Sequence, residues 1–126
     1  MNTKRILLGL AAAALFGLAA GELISLANLP ASPVLQSVAV SFFGAVVGAW
    51  VARTGFLFPA LGLWLVEWLA GLYVVYWIAE PTDQASIMAI TQLNLASILL
   101  SALAVVLGVL VGQALATRTS QAASAI

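Results

Sequence analysis

Apolar residues in this chain gather into four long blocks separated by short polar breaks. Within the blocks they lack the two-residue alternation that a barrel strand, with one lipid face and one polar face, requires. The blocks cover 6–29, 34–52, 56–79 and 86–116, each near or above the ~20 residues with which a helix crosses a bilayer. The predicted fold is an all-α membrane protein, a four-transmembrane-helix bundle with short loops over 1–116. The remaining residues, 117–126, read as a disordered tail.

The breaks carry start and stop signals. Pro30, Ala31, Ser32 and Pro33 make a tight connection, in which Ser32 can cap and Pro33 can take the first helical position of the second span. Arg53, Thr54 and Gly55 end that span, with the glycine suited to helix termination. Pro59 falls in the first turn of the third span, where a missing backbone donor costs little. Glu80, Pro81, Thr82 and Asp83 close the third span, and the fourth opens on Thr91, Gln92, Asn94 and Ser97 before turning uniformly apolar.

Composition agrees with this reading, since 64% of residues are hydrophobic and 6% charged, where a soluble domain carries about 25% charged residues. The chain has no Cys and no His, so disulfides, a thiolate nucleophile and the usual transition-metal ligands are excluded, and no metal or cofactor is expected. A net charge of zero argues against nucleic acid as a partner. Four crossings put Lys4, Arg5, Arg53 and Arg118 at one end and Glu80 and Asp83 at the other. A miscounted span would split the basic set, so the partition supports the count, and the positive-inside rule then predicts cytoplasmic termini. Residues 1–21 also read as a secretory signal, with a basic start, an apolar core and the small residues Ala19 and Gly21. Apolar character continuing through Leu29 favours a full crossing instead. An Ala-rich and Leu-rich chain with such short loops suits a bacterial inner membrane.

Small residues mark the faces expected to pack, because helices in hydrocarbon associate through close approach. Gly9, Ala13, Gly17 and Gly21 recur every four residues in the first span; Ser37, Ser41, Gly44, Gly48 and Ala52 share a face of the second. Asn94, Ser97, Ser101, Ala104, Gly108 and Gly112 form one stripe of the fourth and are expected to face protein, from this chain or another. Tyr73, Tyr76 and Trp77 at one end and Trp50 at the other fit interfacial aromatic belts. Trp64 and Trp68 flank Glu67 and either fill volume or shape a pocket.

Two acids lie inside spans. Glu67 is near the middle of the third, on the order of 20 Å from the basic end, so it is expected to be neutral or to face a wet cavity. Antiparallel stacking brings Ser101 to its depth, and the simplest structural role is a hydrogen bond between them. Glu22 lies about seven residues, roughly 10 Å, inside the first span at the level of Asn94 and Ser97. It can reach the interface, bond to Asn94, or belong with Glu67 to a proton or cation site.

Ala20, Gly21, Glu22, Leu23 and Ile24 resemble the first-helix acid segment of the small multidrug resistance exporters. In that family a membrane carboxylate exchanges protons for cationic drugs. The resemblance covers those five residues; the acid lies further along its helix here, and Glu67 has no counterpart. Asn94 to Gly108 is slightly similar to the last helix of the fluoride channels, whose phenylalanine-rich and hydroxyl-rich break in the third helix is absent. Neither resemblance assigns a family.

Two function classes stand against each other. One is a non-enzymatic bundle, a homo-oligomer or a subunit beside other membrane subunits, motivated by the small-residue faces. The other is a proton-linked small transporter or channel using Glu67 and Glu22, with Asn94, Ser97 and Ser101 along the route. An enzyme is not expected, because the loops offer no nucleophile and base pairing and no Gly-rich phosphate loop. Topology is open to direct test: alkaline phosphatase fused after Asp83 should be active, and fused after Thr54 or Thr119 inactive. Activity at Thr119 would overturn the four-span count.

Overall fold

The computed structural model describes residues 3–27, 33–82 and 87–124. It is a helical bundle of α1 (Thr3–Leu26), α2 (Pro33–Ala52), α3 (Leu57–Ala79), a 3-10 turn (Glu80–Thr82), α4 (Ile87–Leu93) and α5 (Leu95–Ser124). The four long helices, α1, α2, α3 and α5, are each long and apolar enough to cross a membrane. Leu, Val and aromatic side chains stand exposed around the outside, as a lipid-facing surface requires: Leu18, Leu23, Val66, Leu69, Tyr73 and Trp77 are examples. Pro33 does occupy the first position of α2, while the connection at 28–32 with its Ser32 cap, and Asp83, lie outside the described residues.

The bundle is built around α2, whose interfaces with α5 and α1 are far the most extensive in the molecule. Lipid is as apolar as leucine, so these interfaces depend on how closely backbones approach. A Cβ placed on Gly108 would lie 2.6 Å from the Phe42 carbonyl oxygen and 2.8 Å from Ala45 Cβ. One on Gly112, a turn later, would collide with the Val46 carbonyl oxygen and Ala49, so α2 and α5 run parallel with their backbones almost touching. On the other side of α2, a Cβ on Gly9 would be 2.7 Å from the Gly48 carbonyl oxygen, and Gly17 lies against Val40, so α1 runs antiparallel. Ser97, Ser101, Ala104, Gly108 and Gly112 are all buried, as are Gly9, Ala13, Gly17, Gly44 and Gly48. The small-residue faces therefore meet one another within the chain.

The fit of α1 on α2 loosens along its length. A Cβ on Gly17 would have 3.4 Å to its nearest neighbour and one on Gly21 would have 3.8 Å, ordinary van der Waals distances. Gly21 is thus not a contact glycine, and the two helices separate towards the end that carries Glu22. α3 contributes little to the packing: Ala60 is its one buried residue, and Gly62 and Gly71 face open space. Its start is as expected, with Pro59 in the first turn and the first helical bond donated by Ala60 to the Phe56 carbonyl, 2.8 Å.

The structure corrects the reading of the fourth span, which is neither continuous nor finished at Ala116. Asn94 separates α4 from α5: its backbone N–H is shared between the Ile90 and Thr91 carbonyls, both at 3.2 Å, and its side-chain amide donates to the Ile90 carbonyl at 2.8 Å. A polar side chain inserted into the helical ladder is a recognised cause of such breaks. At the far end, 117–124, read as disordered, continue α5. No glycine or proline stops the helix there, and the Thr117 and Thr119 hydroxyls donate to the Gln113 and Leu115 carbonyls one turn back. Arg53 Nη1 reaches Ser120 Oγ at 3.4 Å, which brings the α2–α3 turn and the C-terminal part of α5 to one end with the start of α1. That turn is sharper than a glycine stop alone: Arg53 itself has φ 70°, beside Gly55 at φ 68°, and the Thr54 N–H bonds back to the Ala52 carbonyl at 2.9 Å. A left-handed non-glycine residue costs roughly 1–3 kcal/mol.

Substitutions on the small stripe should act on the fold of the single chain. Gly108→Ala should destabilise by about 1–3 kcal/mol, the usual range for overpacking. Gly62→Ala, in open space on a helix, should be neutral or stabilising by up to about 1 kcal/mol. Reversible unfolding in mixed micelles checks both, and equal effects would place Gly108 against lipid.

Candidate functional site

Because α1 parts from α2 and α3 packs only lightly, a cleft of about 520 Å³ remains between the three helices. On the α3 side it is lined by Phe56, the residue before α3, and by Ala60, Leu63, Trp64 and Glu67 of α3, the spacing of one helical face. From α1 come Ala13, Gly17, Gly21, Glu22 and Ser25; from α2, Gln36, Val40, Ser41 and Gly44. The polar members, Glu22, Ser25, Gln36, Ser41 and Glu67, all lie in the half towards Glu80. Towards the basic end the lining is apolar, and Phe56, fully buried with its ring on Gly48 and Gly9, closes the floor.

Both intramembrane acids thus face one space. Glu67 lies ten residues into α3 from Leu57, about 15 Å along the axis. Glu22 is four residues from Leu26, about 6 Å, so it is shallower than the seven residues expected, because α1 ends earlier. Both carboxyls are accessible from the cleft, and neither has a hydrogen-bond or ion-pair partner among the described residues. No basic side chain lines the cleft.

The expected bond between Glu67 and Ser101 is not formed. Ser101, fully buried, accepts from Trp64 Nε1 at 2.9 Å and from Trp68 Nε1 at 3.0 Å, and donates to the Ile98 carbonyl at 3.0 Å. The reason is rotational. Trp64 and Trp68, four residues apart, share the face of α3 that meets α5, whereas Glu67 is turned about 60° from Trp64 towards the cleft. Two indole donors therefore fill the hydroxyl that sequence alone offered to the acid. Asn94 is likewise committed to its own helix and not to Glu22, and Ser97 is buried in the packing stripe. Of the five residues proposed as a site, Glu67 and Glu22 come together, while Asn94, Ser97 and Ser101 do not line the cleft with them.

Sequence reasoning passed over Gln36 and treated Ser41 as a packing residue. Gln36 is the one amide side chain in α2, and that polarity in an otherwise apolar span was the available signal. No metal-binding group of three or more His, Cys, Asp or Glu occurs among the described residues. A cleft with two carboxyls that have no partner among the described residues, an amide and two hydroxyls can exchange protons with water or hold a cation, since ionised carboxylates in hydrocarbon need hydration or a counter-charge.

No protein-family model, curated protein or solved structure matches the chain.

The indole clamp has a measurable worth. Ser101→Ala leaves two part-buried N–H donors without their acceptor and should cost about 1–2 kcal/mol at the values found for bonds between membrane helices. The shift should be visible in tryptophan emission and in unfolding. Glu67→Leu, with no bond to lose, should leave stability nearly unchanged. The opposite ranking would show that Ser101 serves Glu67 after all.

Proposed function

We propose that this multi-pass membrane protein is a small non-enzymatic carrier or channel in which Glu67 and Glu22 exchange protons or bind a small cation inside the cleft. The observation that supports it is the convergence of both intramembrane acids, from different helices, on one cavity that no basic residue lines. Acids inside a bilayer are expensive, and a scaffold has no use for two that bond to nothing else among the described residues. Gln36 and Ser41 supply the neutral polar contacts that a hydrated proton or a cation would exchange for water. In the proposed orientation the basic end lies in the cytoplasm of a bacterial inner membrane, so the cleft faces the outside and Phe56 separates it from the cytoplasm.

The competing reading, a bundle that assembles with itself or with other membrane subunits, was motivated by small-residue faces. Those faces are occupied within the chain. What remains for assembly is the outer surface of the helices, where Leu15 and Leu18 of α1, Leu65, Val66 and Leu69 of α3 and Leu103 and Leu107 of α5 are served equally well by lipid. No nucleic acid, resident metal or cofactor enters the proposal.

Glu67→Gln decides between the two. It keeps the shape and hydrogen-bonding capacity of the side chain and removes the titratable proton. In proteoliposomes under an imposed pH gradient, proton flux or cation uptake should fall at least tenfold in this variant and less in the shallower Glu22→Gln. Wild-type vesicles without flux above protein-free controls, for protons and for a panel of monovalent cations, would end the carrier reading.

A further inference from the structure

Phe56 is the one aromatic ring among the buried core residues described; its companions there are alanines and two valines, Val105 and Val109. It stands at the end of the cleft away from the acids, eleven residues before Glu67 and about 16 Å from it along the axis. The turn that leads into it is open: Arg53, Thr54 and Gly55 are exposed, and Phe56, the next residue, is fully buried. At this point the barrier between the cleft and the basic end is about one side chain thick. We infer that the Phe56 ring is the inner gate of the cleft, and that its displacement from a seat formed by Gly9 and Gly48 joins the cleft to the basic end. The inference rests on the reading of the cleft as a hydrated route for a proton or small cation.

Four observations carry the inference. First, the seat is made of absent side chains. A Cβ on Gly48 would lie 2.6 and 2.7 Å from two ring carbons of Phe56, and one on Gly9 would lie 3.0 Å from a third. The ring therefore rests on bare backbone of both α1 and α2, and spans the junction of the two helices that wall the cleft. Second, contact alone holds it there. Phenylalanine has no polar atom, so no hydrogen bond has to break for the ring to leave. Third, the element that carries it is the least attached in the bundle, since Ala60 is the one buried residue of α3. Fourth, the turn before it is specialised: Arg53 at φ 70° and Gly55 at φ 68° reverse the chain, so that the next residue enters the bundle. A left-handed conformation kept at a non-glycine residue points to a position the fold must hold. An apolar ring suits the task, because a narrow apolar constriction excludes water and with it any ion, and opens when it widens enough to wet. The lining above the ring, Ala13, Gly44, Ala60 and Leu63, is apolar or small and prolongs that dry stretch up to Ser41.

The test places a reporter thiol above the ring and removes the ring. In Ser41→Cys, a charged, membrane-impermeant thiol reagent is applied from the basic side, with and without Phe56→Ala. Removing the ring should raise the rate of modification from that side by about tenfold or more, while modification from the Glu80 side stays as in the parent. Phe56→Leu keeps an apolar side chain of smaller reach and should give a smaller rise, about twofold to fivefold. Leu63→Ala removes a comparable volume from the cleft wall above the ring and should give none. Large-to-small substitution in a core is destabilising, and an unchanged rate from the Glu80 side shows that the bundle has kept its shape. Should Phe56→Ala lose that rate, Phe56→Leu decides, and a basic-side rate equal to the parent's in this variant overturns the gate. An equal rise in Leu63→Ala would mean general loosening and would overturn it too. A parent thiol inert from both sides would instead sink the hydrated route itself, and the gate with it. Proton or cation flux in proteoliposomes supplies the second reading: Phe56→Ala should raise it about tenfold over the parent. Basic-side modification without a rise in flux would make the ring a wall beside the route, and not a gate upon it.

Discussion

In hydrocarbon a helix gains nothing from resting its leucines on another helix in place of lipid, so what joins helices there is the nearness of their backbones. In this chain that nearness is created at α2. Gly48 and Gly9 admit α1 on one side, and Gly108 and Gly112 bring α5 onto the Phe42 and Val46 carbonyls on the other. A single added methyl at most of these points would press into backbone atoms, so three of the four crossings form one tight unit. α3 has no such face. Its glycines look into open space, and what fixes its rotation is a pair of indoles on one buried hydroxyl, Trp64 and Trp68 on Ser101.

The cleft follows from that difference in attachment. A helix held by two long side chains stands off from its neighbours, and the rotation that serves the indoles turns Glu67 away from α5 towards α1. The loosening of α1 on α2, beyond Gly17, opens the same space from the other side and admits Glu22. The chain thus combines close glycine contact near the basic end with a polar gap near the acidic end. The basic end is also where Arg5, Arg53 and the lengthened α5 meet. Packing and charge are both polarised along the membrane normal, in the same direction.

Much of this was legible in the residues. Span limits came within a few positions for α1, α2 and α3, because proline, glycine and polar runs at 30–33, 53–55 and 80–83 are local signals whose meaning does not depend on the rest of the fold. Buried stripes in α1 and α5 were legible for the same reason, since four-residue spacing of small side chains defines a face without naming its partner. The partner was the part that sequence withheld, and with it the weight given to assembly. The Asn94 break was missed because an asparagine amide competing for the Ile90 carbonyl looks, in sequence, like one more polar residue in a stripe. Glu67 was singled out by depth and wrongly paired: depth matches Ser101 to it, whereas rotation about α3 gives Ser101 to the tryptophans. Gln36 acquires meaning only once α1 and α3 are seen to leave space beside it.

Water in the cleft is the claim on which the functional reading rests, and the absence of native cysteine makes it directly measurable. Ser41 lies eight residues into α2, about 12 Å from its start, on the cleft wall; Val66 lies beside Glu67 on the lipid face of α3. In membrane vesicles, a charged, membrane-impermeant thiol reagent added on the side of Glu80 should modify Ser41→Cys rapidly and leave Val66→Cys unmodified. From the basic side it should reach neither, because Phe56 closes the floor. Equal inertness of both thiols from the Glu80 side would mean that the cleft is dry, and would contradict a hydrated two-carboxylate site.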